Sequence, residues 1–158
     1  DLYLSGGIYL GGTGSANKLE DYEEGTWTPN PTFGNQTTGM AFTTRTGGYT
    51  KVGRVVYISG RIVFSNKGSA TGVFQIKGLP FAASSLGEGF YGGVTLHYAV
   101  NLANPTSWEA TQYPVIDTNS SYIYMRYANS SGGSNAHYNS DINNNSDLLF
   151  QGFYTTDA

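Results

Sequence analysis

Four carboxylates lie within five residues near the N-terminus and are the most concentrated reactive groups in the chain. Glycosidases place two carboxyl groups across the scissile bond, roughly 5 to 10 Å apart. The four residues here form one contiguous connector that we expect to be exposed, so we expect them to form ion pairs at a junction, or to discourage off-register association, instead of acting in catalysis. The carboxylates are Glu20, Asp21, Glu23 and Glu24, and the expected partners are Lys51, Arg54 or Arg61.

Other carboxylates are scattered along the second half of the chain. Glu88, Glu109 and Asp117 could approach one another in the folded protein. Spacing in sequence does not decide that, so a polysaccharide-cleaving enzyme stays open as an alternative. The prediction is that the protein is not an enzyme and has no catalytic residues.

A cation site is considered at Asp141–Asp147, where oxygen ligands alternate as at the start of a calcium loop. The glycine of the sharp turn is replaced by Ser146, and the twelfth position is Gly152 instead of a glutamate. An asparagine-rich turn explains the segment better. The chain has no cysteine, and His97 and His137 have no zinc-binding spacing. We therefore predict no metal and no cofactor.

The second half is rich in tyrosine and small polar residues. Sugars offer apolar C–H faces and many hydroxyls, which aromatic rings and amide side chains can satisfy together. Loops on a rigid β framework are common places for binding. The candidate carbohydrate-binding residues are Trp108, Tyr113, Tyr122, Tyr124, Arg126, Asn135, His137 and Tyr138.

Composition limits the possible partners. The 158 residues include only 12% charged side chains, with a net charge of −3. Nucleic-acid binding needs a concentrated cationic surface, so it is not expected. No apolar run reaches about 18 residues, so membrane insertion is not expected either.

These candidates must be positioned by β-structure, because short alternating segments separated by turn residues dominate. Residues 48–65 have apolar side chains on both faces, which predicts a central strand covered on both sides, with a turn at Gly53 and a bulge or close approach at Gly60. Residues 129–146 are predicted to form a long loop, and no helix is predicted. We expect an all-β fold with a β-sandwich or jelly-roll-like head. Further strands are predicted at residues 71–77, 94–100, 113–118, 122–127 and 148–155.

The N-terminal residues alternate between apolar and small side chains, with Leu2 and Leu4 followed by Ile8 and Leu10. Two short strands of this kind cannot bury an apolar face alone, but three copies around one axis can. The predicted organisation is a stem and junction over residues 1–24 and a head over residues 25–158.

The junction Leu19-Glu20-Asp21-Tyr22-Glu23-Glu24-Gly25-Thr26-Trp27-Thr28-Pro29 resembles a segment found in bacteriophage tail fibre and tailspike proteins. The resemblance continues at 49–53 and 76–81, and so covers about the first half of the chain. It implies a homotrimer at the distal end of a virion's tail fibre, joined to an upstream shaft. The implied function is attachment to a bacterial cell-surface polysaccharide. A tailspike glycosidase fragment and a purely structural trimerising tip are the alternatives.

Overall fold

The computed structural model describes residues 6–14, 17–19, 21–87, 89 and 91–157. The strand predicted around Leu2 and Leu4, and the side chains of Glu20 and Glu88, lie outside these residues. With 58% strand and 6% helix, the all-β prediction is confirmed. In chain order the strands are β1 (Ile8–Tyr9), β2 (Lys18–Leu19), β3 (Tyr22–Trp27), β4 (Asn30–Phe33), β5 (Met40–Val52), β6 (Val55–Lys67), β7 (Phe74–Lys77), β8 (Gly92–Leu102), β9 (Val115–Ile116), β10 (Tyr122–Tyr124), β11 (Arg126–Ala128), β12 (Ser134–Ala136) and β13 (Ile142–Thr155).

One nine-stranded sheet carries the fold, in the order β3-β5-β6-β13-β8-β9-β10-β7-β4. The sheet is curled, as the contact between Phe33 of β4 and Phe64 of β6 shows, since these strands are far apart in that order. Phe33 of β4 stacks on Phe64 of β6 at 6.5 Å between centroids and meets Phe74 of β7 at 5.5 Å. The two edge strands β3 and β4 are also consecutive in the chain, which brings the edges together. The concave side of the curl therefore holds the core.

Strands β5 and β6 form a long hairpin whose two-residue turn contains Gly53 at φ +56°, as the sequence predicts. Val56, Ile58, Ile62 and Phe64 of β6 are buried in the core. The prediction that this strand is covered on both faces is wrong. Val55 and Tyr57 on its other face are exposed, because no layer packs on the convex side among the described residues.

A row of two aromatics and two glycines crosses the middle of the sheet. Trp27 lies opposite Gly47, Gly47 opposite Gly60, and Gly60 opposite Phe150. The Trp27 and Phe150 rings meet edge to face at 6.2 Å over the glycines. A Cβ on Gly60 would lie 2.5 Å from the Phe150 Cζ, so the predicted close approach is confirmed. We call these four residues the aromatic–glycine row.

The junction is part of the main sheet. Strand β3 pairs with β5 along its whole length, so the predicted boundary between residues 24 and 25 falls inside this strand. Before it, β1 and β2 pair with each other as a separate two-stranded hairpin.

The long loop predicted over residues 129–146 is only partly a loop. It contains β12 and the start of β13, where Asn143, Asn144 and Asn145 are exposed strand residues. The ladder with β8 is interrupted between Ile142 and Asp147, and hydrogen bonds that involve side chains hold the asparagines instead, such as the one from the Lys67 N–H to Oδ1 of Asn144 at 3.0 Å. A five-residue helix, α1 (Pro105–Glu109), was also not predicted, because it is too short to show helical periodicity.

The aromatic–glycine row yields a matched pair of glycine substitutions. We expect Gly60→Ala to lower the free energy of unfolding by about 1–3 kcal/mol, because the new methyl group overlaps the Phe150 ring. Gly93→Ala on the convex face of β8 meets nothing within 4 Å and should be neutral or slightly stabilising. Urea denaturation measures both. Equal changes in the free energy of unfolding for the two variants would show that the aromatic–glycine row is not tightly packed.

Candidate functional site

The convex face of the sheet carries two parallel rows of side chains across five strands. In the first row Glu24, Thr50, Tyr57, Phe153 and Gly93 are successive cross-strand neighbours. Since neighbouring strands lie about 4.8 Å apart, the row is about 19 Å long. The second row runs beside it and consists of Thr26, Gly48, Ser59, Gln151 and Thr95.

The first row has an aromatic centre. Tyr57 is 44% exposed and Phe153 is 61% exposed, and the two are direct cross-strand neighbours. Gly93 follows Phe153, and the space where its side chain would stand is open. The two rings therefore offer uncovered apolar surface at the middle of the sheet.

The second row is polar, and a hydrogen bond from Tyr57 orients the side-chain amide of Gln151 within it. The Tyr57 hydroxyl donates to Oε1 of Gln151 at 2.7 Å. This bond fixes the amide of Gln151, so its NH₂ group remains to donate to a ligand. Hydroxyls of Thr26, Ser59 and Thr95 extend the row on both sides of Gln151.

Two depressions flank Tyr57 and join these rows into one feature, which we call the outer groove. One of about 460 Å³ contains Phe153, Gln151 and Tyr113, and the other of about 440 Å³ contains Glu24 and Ser59. Tyr57 lines both. Flat aromatic surface beside a line of hydroxyl and amide groups is the combination that a sugar chain requires.

Of the eight residues predicted from sequence, Tyr113 is the one that lines the outer groove. Tyr57, Gln151 and Phe153 were missed as binding residues. The available signal was the alternation of Tyr57, Ser59 and Arg61 on the second face of β6, since two polar residues there indicate a face open to water.

Three predicted residues lie together beyond the groove, with Tyr122 and Tyr124 on β10 and Arg126 at the start of β11 in the separate β11–β12 sheet. The Tyr122 and Tyr124 rings meet edge to face at 5.0 Å, and the Arg126 guanidinium lies 5.0 Å from the centre of the Tyr124 ring. Asn135 lines a separate depression of about 360 Å³ beside Tyr127. Tyr138 is 46% exposed and follows β12.

The remaining two predicted residues, Trp108 and His137, pack against each other, and His137 is buried while Trp108 is partly buried. Their rings stack at 3.9 Å between centroids. His137 is 0% exposed, so the prediction that it contacts a ligand from a surface loop is wrong for this structure. Trp108 donates through Nε1 to the carbonyl of Asp141 at 2.9 Å, which attaches helix α1 to the segment before β13.

Asp141 is the centre of this buried cluster. Its carboxylate accepts hydrogen bonds from the Asn104 amide at 2.8 Å and the Ser107 hydroxyl at 3.2 Å. It also accepts from the backbone N–H of Tyr138 at 2.9 Å and lies 3.3 Å from Nδ1 of His137. A carboxylate bonded this fully organises a loop.

The protonation of His137 follows from its neighbours. Gln112 donates its amide hydrogens to two backbone carbonyls, so its Oε1 must be the acceptor 2.7 Å from Nε2 of His137. Nε2 therefore carries a proton. Burial lowers the pKa of His137 below its ordinary value, and the opposing effect of Asp141 is smaller.

The predicted ion pairing of the N-terminal carboxylates is confirmed for Asp21, whereas Glu23 and Glu24 accept hydrogen bonds from tyrosines. Asp21 forms a salt bridge with Lys51, and Glu23 accepts a hydrogen bond from Tyr49. Arg61 instead holds Asp147 through two hydrogen bonds of 3.1 and 2.8 Å.

Asp141 and Asp147 are therefore both engaged by protein groups. Within the described part of the chain no cluster of three or more potential metal ligands occurs. The calcium-like spacing of residues 141–147 thus does not correspond to a cage of free carboxylates.

No family model, curated protein or solved structure matches the chain. Over the described residues, none of the helices has the length and apolar character needed to cross a membrane.

The buried histidine predicts acid sensitivity. Because its pKa is lowered on folding, the unfolded chain binds the proton more tightly. The stabilising effect is complete above the unfolded pKa of 6.5 and is lost as the pH falls from there through the lower pKa of the folded protein. We expect the free energy of unfolding to decrease between about pH 7.5 and pH 5.

The matched variant is His137→Gln, which should be less stable at neutral pH but much less sensitive to pH across this window. Protonation of Asp157 should cause a separate loss of folding stability at lower pH, because hydrogen bonds from Ser84 and Ser85 lower the pKa of Asp157 in the folded protein. Urea titrations at several pH values distinguish the two. An unchanged pH dependence in His137→Gln would contradict the prediction.

Proposed function

We propose that this chain is the receptor-binding tip of a bacteriophage tail fibre, and that its outer groove binds a bacterial surface polysaccharide. The observation that carries the proposal is the pairing of an exposed aromatic centre, Tyr57 and Phe153, with the polar row around Gln151. The junction sequence supports the phage assignment through its resemblance to tail fibre proteins. On this proposal the protein works outside the cell, at the distal end of the virion and joined to an upstream shaft.

The groove favours binding over cleavage. Among the described residues that line it, Glu24 is the single carboxylate, and the Tyr22 hydroxyl donates to it at 2.8 Å. Hydrolysis of a glycosidic bond ordinarily uses two carboxyl groups. Glu23, the neighbouring carboxylate, accepts from Tyr49 on the opposite face of β3.

A homotrimer is the proposed assembly. A third row on the convex face, Tyr22, Val52 and Val55, is apolar and exposed, and it directly follows the stem hairpin. Apolar surface at this position supports contact between copies near the stem. Three grooves on one rigid tip would bind a repetitive surface polymer with avidity.

The binding prediction uses two single variants. Tyr57→Ala and Phe153→Ala should each weaken binding roughly 3- to 10-fold, because each removes one ring from the aromatic centre of the outer groove. Binding is measured with the fluorescently labelled protein on immobilised capsular polysaccharides and lipopolysaccharide O-chains.

The matched control is Tyr138→Ala, which removes an equally exposed tyrosine that does not line the groove. It should bind like the parent protein. If Tyr138→Ala loses binding and the groove variants keep it, the site lies elsewhere. If no polysaccharide binds, the structural-tip alternative gains support.

The assembly prediction concerns mass. Light scattering should give about three times 17.0 kDa for the intact chain. Val52→Asp should shift the protein towards smaller species, because it places a charge in the apolar row. Thr43→Asp, an exposed position on the same strand, should not. A monomeric parent protein would contradict the trimer.

A further inference from the structure

A second surface lies on the same convex face, two strands beyond the end of the first row of the outer groove, because Gly93 pairs with Val115 and Val115 pairs with Tyr124. Along residues 122–126 the side chains alternate, with Ile123 and Met125 buried and the other three pointing outward. Lys77 of β7 pairs with Tyr122 and belongs to the same outward face. We call Lys77, Tyr122, Tyr124 and Arg126 the cationic tyrosine row.

The row places one cation over each of two tyrosine rings that meet edge to face. The Tyr122 and Tyr124 rings are 5.0 Å apart. Arg126 lies 5.0 Å from the centre of one ring, and the Lys77 ammonium lies 5.9 Å from the centre of the other. From residue 122 to residue 126 an extended chain covers about 13 Å, which is long enough for a short saccharide.

The two cations have no carboxylate partner among the described residues, in contrast to Lys51 and Arg61. Asp117 is the acidic group that acts on this row. Burial raises the pKa of Tyr122, the charge of Asp117 adds to this effect, and Arg126 opposes it. Because Arg126 pairs with no carboxylate among the described residues, its charge is available to an external anion.

We propose that the cationic tyrosine row binds an acidic sugar unit, with the sugar ring on the tyrosines and its carboxylate on Arg126. A guanidinium matches a carboxylate with two parallel hydrogen bonds. The aromatic faces accept the apolar side of the ring. This inference extends the proposed glycan binding to a second surface and specifies the charge of the sugar there.

The probe pair is a trisaccharide of galacturonic acid and the neutral trisaccharide of galactose, titrated into the intact chain by calorimetry at low salt. The acidic sugar should bind at least about 10-fold more tightly, since hydrogen bonds to charged groups are the stronger ones. Arg126→Ala should remove about 10-fold or more of that affinity. Tyr124→Ala should weaken binding, whereas Tyr124→Phe should bind like the parent protein, because the aromatic ring and not the hydroxyl contacts the sugar.

The control is Arg45→Ala, which removes the same charge and a similar arginine–aromatic contact, at 4.8 Å over Phe42. It should leave binding unchanged. Equal affinity for both trisaccharides, or unchanged binding in Arg126→Ala, overturns the proposal. An equal loss in Arg45→Ala also overturns it, since the effect would then come from overall charge. Free acetate should not compete at the same concentration if the sugar ring is recognised.

The two proposals can fail separately. Tyr57→Ala and Phe153→Ala act on the outer groove and should leave the binding of galacturonate unchanged. If galacturonate binds through Arg126 but no surface polysaccharide binds through the groove, the groove assignment fails and this one stands. If Tyr57→Ala abolishes galacturonate binding, the acidic sugar binds in the groove and the cationic tyrosine row is not its site.

Discussion

The fold depends on the contact between Trp27 and Phe150 across two glycines. Any side chain on Gly47 or Gly60 would occupy the space of these rings, since a Cβ on Gly47 would lie 2.4 Å from Nε1 of Trp27. The contact joins the edge strand β3 to the central strand β13 through the hairpin between them. Trp27 also donates to the carbonyl of Ser59 at 3.0 Å, which fixes its ring relative to β6. The tryptophan of the junction is thus a core residue, and the junction belongs to the head's sheet.

The same row separates the two faces of the sheet. Because Trp27, Gly47, Gly60 and Phe150 all face the core, the strand period of two directs their neighbours to the convex face. Ser59 and Gln151 are such neighbours, and Tyr57 and Phe153 lie two residues further along β6 and β13. The outer groove is therefore a consequence of the register that the buried aromatics enforce. A slip of the strand register by one residue would bury the polar row of the outer groove and expose the side chains of the core.

The buried cluster around Asp141 has a different role. Three of its members lie on helix α1 or near it, and His137 precedes the 3₁₀ turn Asn139–Asp141. These polar contacts hold together the part of the chain with the fewest apolar residues, where asparagine, serine and glycine leave little surface to bury. Polar groups can replace an apolar core locally when nearly every donor and acceptor is satisfied. The cost is sensitivity to the protonation of one histidine.

The sequence by itself determined the all-β class, the turn at Gly53 and the close approach at Gly60, because strand alternation and turn chemistry are local signals. It predicted one strand over residues 122–127, which the structure divides into β10 of the main sheet and β11 of a separate two-stranded sheet. Only the tertiary structure decided which apolar residues were covered. Tyr57 and Val63 have the same local pattern whether a second layer packs on them or not. The burial of His137 was likewise undetermined, since its partners Gln112 and Asp141 meet it only through the folding of distant segments.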